Sequence, residues 1–512
     1  MKSIRKEEDE EYTLGKKLVV TTLKDIQLHL KVIILITTSF MIWFLFLLVF
    51  SPKRVSNPTR LFLSTPPREC KDNFSVYIYN LPSKYNFDLL RDCTSLNIYT
   101  DMCPHVTNNG LGSPLPQMGS SWFTTHQLIA ELIFHARIQN HPCRTNDAHK
   151  STLFYVPFYG GLHASSKFRE PNYTTRDALA VQLVEYIHKQ KWWKRNSGRD
   201  HFMAFGRTAW DFMRSDEVPD FGANKLLNMS PVKNMSVLLV ERHPWEGHNQ
   251  YGIPYPSYFH PSTSSEMVEW QNNMSYMDRI HLFSFVGAPR TGKKKVVTRD
   301  RVIKQCEESS NCLILKCGHG PSKCHNPIEV VKVMMRSNFC LQVLGDSYTR
   351  RSTFDSMLAG CIPVFFSNHT AYSQYQWFLP SDPTTYSVYI DLERNHSIKI
   401  EEELFKIPMD EVERKRRTVI ELIPMFTYAH PNSTSYGFKD VVDVSLKALS
   451  DHAMNTRRNA ERRLEEYIAN VGAPPRGDQV PPLGEAVDDD HIPVNPPTLT
   501  DENIRVVIFQ IA

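Results

Sequence analysis

Two stretches of this chain alternate short apolar runs with longer segments of helical periodicity, which restricts it to parallel strands crossed by helices. In the first stretch SVYIYNLP (75–82), TLFYVPFY (152–159), HFMAFG (201–206) and SVLLVER (236–242) predict strands. Between them HQLIAELIFHARI sets Leu128, Ile129, Leu132, Ile133 and Ala136 on one helical face, and RDALAVQLVEYIHKQ does so with Leu179, Leu183 and Ile187. The second stretch repeats the pattern with HLFSFVGAPR (281–290), CLILKCG (312–318), SNFCLQVLG (337–345), a helix, and CIPVFF (361–366). The expected fold class is α/β, with parallel-sheet domains over 71–275 and 276–450. Such sheets bind ligands beyond the carboxyl ends of their strands, so the loops after each strand are where chemistry is expected. The 512 residues carry a formal charge of +4 and no basic stripe interleaved with aromatics, so no nucleic-acid partner is expected.

Residues 32–50, VIILITTSFMIWFLFLLVF, carry no charge and are flanked by Lys31, Lys53 and Arg54. At ~1.5 Å per residue the run crosses a hydrocarbon core of roughly 30 Å, and no small-residue cleavage site follows it. It predicts a transmembrane signal-anchor. Lys2, Arg5, Lys6, Lys16, Lys17, Lys24 and Lys31 make 1–31 a cytosolic tail and the topology type II. Residues 51–70 read as a stem, and 451–512 as a charged helix followed by a disordered tail. Glycosylation sequons at Asn73, Asn172, Asn228, Asn234, Asn273, Asn368, Asn395 and Asn432 all follow the anchor, as do all 10 cysteines. Both features fit an oxidising lumen.

The segment FCLQVLGDSYTRRSTFDSMLAGCIPVFF (339–366) is the most specific. A strand ends at Gly345, a helix is expected from about Ser352 to Ala359, Gly360 stops it, and a strand begins at Cys361. A helix N-terminus offers free N–H groups and about half a positive charge to an anion. Ser347 and Thr349 add hydroxyl donors, Arg350 or Arg351 a guanidinium fork, and Asp355 an acceptor for ribose hydroxyls. The set suits a diphosphate. On these residues alone a capped surface helix with solvated arginines stands equally.

This segment resembles the nucleotide-sugar signature of the exostosin-like glycosyltransferases, and more closely that of the plant xyloglucan galactosyltransferases. YVPFYGGL (155–162), GRDHFMAFGRTAWDF (198–212), IPYPSYFHP (253–261), LFSFVGAPR (282–290), SKCH (322–325) and TTYSVYI (384–390) match in order, so the resemblance spans about 75–450. It implies a GT-B type fold, two Rossmann-like domains facing a cleft behind one N-terminal transmembrane helix. It implies an inverting mechanism, UDP-galactose or a related UDP-sugar as donor, and xyloglucan or another hemicellulose as acceptor, with a new β-linkage to a xylosyl 2-hydroxyl. It also implies a Golgi-membrane enzyme with a lumenal catalytic domain, in company with other glycosyltransferases.

The residues suit that chemistry. Arg350, Arg351 and the helix N-terminus meet the charge that develops on a departing UDP. No D-x-D motif of the metal-dependent kind lies in the folded part, so transfer without a metal or other cofactor is expected; Asp488, Asp489 and Asp490 fall in the tail. Arg290 is a further phosphate candidate, and Lys293, Lys294 and Lys295 a solvated basic turn. His163, Asp211 and Glu241 each follow a first-half strand and are alternative general bases. Asp211 could instead hold Arg207, and Glu241 could pair with Arg242 or cap a turn. Near His163 the resemblance implies an acidic residue, so it does not assign the base. Trp245, Tyr251, Tyr255 and Tyr258 suit an acceptor groove, or simply packed loop aromatics. Cys306, Cys312, Cys317 and Cys324 lack a C-x-x-C pair, so disulfides of open pairing are expected over zinc. A galacturonic acid donor, a mannan-type acceptor, or a non-catalytic glycan-binding subunit of a Golgi synthase complex are the competing readings.

Overall fold

The two runs of predicted strands build two separate sheets, each parallel throughout. A computed structural model describes residues 31, 33–41, 70, 72–215, 217, 221–289, 296–318, 323–392, 394–395, 397–433 and 437–471. Arg290, Lys293 to Lys295, nearly all of the expected tail and stem, half of the anchor and everything past 471 lie outside them. Residues 33–41 are helical, and no helix among the described residues is long and apolar enough to cross a membrane.

The first sheet takes β1 (Val76–Ile78), β2 (Arg144–Thr145), β3 (Leu153–Tyr155), β4 (His201–Thr208), β5 (Ser236–Glu241) and β6 (Gln250–Gly252), in the order β2-β1-β3-β4-β5-β6. The second takes β7 (His281–Gly287), β8 (Cys312–Lys316), β9 (Ser337–Gln342), β10 (Ile362–Phe365) and β11 (Val388–Tyr389), in the order β11-β10-β9-β7-β8. β4 and β5 are buried along their whole length, as expected of central strands with both faces covered. The edge strands β2, β6 and β11 are two or three residues long, too short for any periodicity to announce them.

Both sheets lie in one unit beginning at Arg68. One apolar core runs through it, from Phe134, Tyr155 and Leu238 beside the first sheet to Phe354, Met357 and Phe426 beside the second. The helix Ala130–Gln139 is buried on every side except at its last residue, not on one face. Its apolar side packs toward the first sheet, and the long helix Val441–Val471 returns from the second half to cover its other side. Arg137 Nε donates to Asp440 Oδ2 at 2.8 Å, with neither side chain more than 1% exposed. Asp440 also accepts the N–H groups of Ala429, Val442 and Asp443, so one carboxylate both pairs a buried cation and caps the long helix.

The cysteines form five disulfides: Cys70–Cys143, Cys93–Cys103, Cys306–Cys312, Cys317–Cys324 and Cys340–Cys361. The last joins β9 to the residue preceding β10 and closes over the loop and helix between them.

Arg137 also lies 3.8 Å from Asp443, so removing Asp440 leaves the buried guanidinium with only a more distant counter-charge, at a cost of about 3 kcal/mol, the lower end for a broken buried ion pair. Asp440→Ala should therefore lower the urea midpoint of the purified protein by an equivalent amount; an unmoved midpoint would mean Arg137 finds water. A second expectation concerns acid. Burial pushes His135, His163 and His260 each down to about 4. An unfolded histidine takes its proton near pH 6.5, so between pH 6.5 and 4 only the unfolded chain gains protons and native stability falls with pH. At pH 5 each ring accounts for a loss of about 2 kcal/mol. Glu131, pushed up to about 7, acts in the opposite sense and offsets part of it. Unfolding curves at pH 7 and pH 5 check the balance, with the lower midpoint expected at pH 5.

Candidate active site

The carboxyl ends of β5 and β9 meet through one carboxylate. Glu241, the last residue of β5, is 0% exposed. Its Oε2 accepts the Ser347 hydroxyl at 2.7 Å, the Thr349 hydroxyl at 2.6 Å and the Thr349 backbone N–H at 2.7 Å. Its Oε1 accepts the Trp210 indole N–H at 2.7 Å. Burial raises the Glu241 pKa, while the bonds from Thr349, Ser347 and Trp210 hold it down. The loop between β9 and the helix Arg351–Leu358 is thereby fastened to the first half of the molecule.

This placement corrects two expectations. Glu241 as a general base is not what the geometry offers, because four donors already occupy its oxygens. Ser347 and Thr349 direct their hydroxyl protons to Glu241 and not toward a phosphate. The helix behind them begins close to the expected place and ends at Leu358, with Gly360 at φ 63°, a left-handed conformation suited to glycine. Arg350 is its N-cap and supplies no side-chain cap; its carbonyl accepts the Thr353 N–H at 3.2 Å, which leaves the N–H groups of Arg351 and Ser352 without a side-chain cap. The Arg350 guanidinium fills the space a side chain at Gly345 would need, so it lies directly against the loop backbone.

Arg351 reaches across the molecule. Its Nε donates to Asp355 Oδ2 at 3.1 Å, its Nη1 to the Thr125 carbonyl at 2.8 Å, and its guanidinium lies 3.7 Å from the centre of the Tyr258 ring. Asp355 Oδ1 accepts the Ser257 hydroxyl at 2.5 Å, so both of its oxygens face protein and not a ribose. Tyr255 and Tyr258 are buried, Tyr255 beside the Thr349 hydroxyl at 3.2 Å, and Tyr251 stacks on Trp377 at 4.4 Å. These three are packing between the halves and not an open groove. Trp245 alone of the four is exposed, at 54%.

Of the remaining base candidates, His163 lies in the helix Gly160–Ser166, 7% exposed, with Nδ1 buried and unbonded among the described residues. Asp211 accepts Arg207 Nε at 2.8 Å and the Thr208 hydroxyl at 3.2 Å, both on Oδ2. Its charge acts on Tyr255, which places it near Thr349.

The model of the exostosin GT47 domain matches residues 70–404. The chain belongs to the exostosin GT47 family. It is 62% identical over 392 residues to the probable xyloglucan galactosyltransferase GT17 of Arabidopsis thaliana, covering 77% of this chain and 86% of that one. It is 46% identical over 400 residues to the xyloglucan galactosyltransferase MUR3 of the same plant, covering 77% of this chain and 64% of the relative. To the xyloglucan-specific galacturonosyltransferase 1 it is 40% identical over 388 residues, covering 75% and 57%. Membership makes the chain a glycosyltransferase.

Two groups in this GT47 domain escaped the sequence reading. Glu131 is fully buried and accepts the N–H groups of Gly161 at 3.1 Å, Leu162 at 2.8 Å and Gly206 at 3.2 Å, fixing the start of the helix Gly160–Ser166 to β4. His126 accepts the Leu128 N–H on Nδ1, and burial, then His105, Arg351 and Arg207, push it down to about 3. Both sit in a stretch whose apolar spacing read simply as a helix, and Glu131 falls on the side of that wheel opposite Leu128, Ile129, Leu132, Ile133 and Ala136, so the spacing gave no signal of its burial. His126 is a neutral ring between two guanidinium groups.

Glu241→Gln sets one amide nitrogen against donors that need acceptors, so the 345–350 loop should lose its position. The expected result is a fall in kcat/KM of about 10- to 100-fold carried mostly by donor KM. Steady-state kinetics check it; a collapse of kcat at unchanged KM would restore Glu241 as a base.

Proposed function

We propose that this chain is an inverting GT-B type galactosyltransferase that moves galactose from UDP-galactose to xylosyl side chains of xyloglucan in the Golgi lumen. The observation that carries the reading is the uncapped N-terminus of the helix Arg351–Leu358, with Arg350 against the Gly345 loop and the whole loop fastened by Glu241. First-turn N–H groups with a guanidinium one residue before the helix suit a diphosphate whose charge grows as the sugar departs. Arg351, tied to Asp355 and Thr125, keeps that positive charge fixed at the cleft. Transfer to a xylosyl hydroxyl requires a group to take its proton. Asp211 fits best, since Arg207 and Thr208 hold one oxygen in place and its other takes no bond among the described residues.

The names of the 62% and 46% identical relatives support galactose and xyloglucan. The 40% identical galacturonosyltransferase keeps a uronic acid donor as the second reading. All eight sequon asparagines are exposed, which supports a lumenal place; the side-chain nitrogens of Asn228 and Asn234 already donate to carbonyls and are the poorest acceptors of a glycan.

The test offers the purified protein UDP-galactose and UDP-galacturonic acid, with chelator, against xyloglucan, mannan and no acceptor. Galactose transfer to xyloglucan alone, persisting in chelator, is expected. Asp211→Asn should abolish transfer and leave UDP binding intact, and Arg351→Ala should lower kcat/KM by roughly 100-fold. Transfer of the uronic acid alone would replace the donor, and full activity in Asp211→Asn would remove the base.

A further inference from the structure

One cluster of side chains has no task in the reaction just described. Trp245 projects from the loop between β5 and β6, and more than half of its surface is exposed. Its ring meets Tyr348 at 5.7 Å and His369 at 5.3 Å between centroids, at interplanar angles of 88° and 67°. Tyr348 and His369 meet each other at 5.5 Å and 74°. The three rings come from the loops after β5, β9 and β10, so both sheets contribute, each at its carboxyl edge.

The cluster is held from behind. His243 lies 5.7 Å from Trp245 and 4.6 Å from Trp210, whose indole N–H donates to Glu241. His243 Nδ1 accepts the backbone N–H groups of Trp245 at 3.3 Å and Glu246 at 2.8 Å, which fixes the loop that presents the indole. A row of rings therefore runs from the Glu241 anchor out to solvent. An indole left half in water forgoes burial that a Trp side chain of 150–250 Å² otherwise gains at roughly 25 cal/mol per Å². Exposed, with its loop held by His243 and its ring against two aromatic neighbours, it needs little ordering to take a ligand.

Resting on the proposed transfer reaction, we propose that Trp245, Tyr348 and His369 form an acceptor subsite that takes a pyranose ring of a neutral glycan. Tyr348 sits between Ser347 and Thr349, the two residues Glu241 holds at the start of the phosphate loop, so a sugar on this platform lies beside the departing diphosphate. The flat indole face matches the C–H face of a pyranose, and a phenol and an imidazole within 6 Å of it are groups able to bond sugar hydroxyls. None of the three side chains is a carboxylate or a guanidinium, which suits an uncharged sugar.

The test uses the full chain with UDP-galactose and a xyloglucan oligosaccharide. Trp245→Ala should raise the acceptor KM about tenfold, and Trp245→Phe should recover most of that loss. Donor KM and acceptor-independent hydrolysis of UDP-galactose should stay within about twofold of the parent. Calorimetric titration with the same oligosaccharide reads the platform without turnover, and the Ala variant should bind about tenfold more weakly. An unchanged acceptor KM and affinity would overturn the subsite, as would a rise confined to donor KM, which would assign the rings to the nucleotide. Absence of hydrolysis and transfer in the parent protein would instead defeat the proposed reaction, and the titration would still decide the subsite.

Discussion

A carboxylate taken wholly out of water is tolerated only when its oxygens are met by donors, and Glu241 meets that condition with donors drawn from both halves of the chain. Its partners come from both sides: Trp210 from the first half, Ser347 and Thr349 from the second. Taking away any one would leave buried polarity unmatched, so the loop after β9 has one low-energy position relative to the first sheet. Around it the contact continues with Tyr375 donating to the Val240 carbonyl, Gln374 exchanging bonds with Arg242, and Trp270 donating to the Leu358 carbonyl. The carboxyl ends of the two sheets are thus joined by groups already bonded to one another.

That state changes which groups can recognise a nucleotide. Side chains that look like ligands by type, Ser347, Thr349 and Asp355, are occupied in holding the walls. On the proposed reading a donor meets instead the main-chain N–H groups at the start of the helix Arg351–Leu358, beside the guanidinium packed on Gly345. Backbone donors need no ordering at the moment of binding, and their dipoles point where charge will develop. Recognition resting on them tolerates little movement of the loop, which gives the surrounding hydroxyl and carboxylate contacts a positioning role.

The sequence disclosed eight of the eleven strands described, the helix at 351–358 and its glycine stop, because those signals are local: apolar runs, a period of 3.6, a residue able to take positive φ. The edge strands β2 (RT) and β6 (QYG) could not be read, since neither two nor three residues carry a period and, unlike β1 and β3, they lie in no apolar run. The roles of Glu241 and Asp355 were equally hidden, because a carboxylate reads the same whether it faces a ligand or a hydroxyl more than ninety residues away. The helix at 130–139 looked amphipathic only because the residues that cover its second side lie three hundred positions later. Family likeness recovered the chemistry that pattern left open, and geometry then sorted the candidates.

The helix Val441–Val471 leaves a mark on how such a chain is made. The first sheet is complete in covalent terms by Gly252, yet Arg137 has no counter-charge until Asp440 has been synthesised. A nascent chain leaving the ribosome must keep that half waiting, with an unmatched guanidinium in an unfinished interior, through almost two hundred further residues. Assembly of the two halves is in this sense a single event timed by the last helix to emerge, and the earliest-made half is among the last to become native.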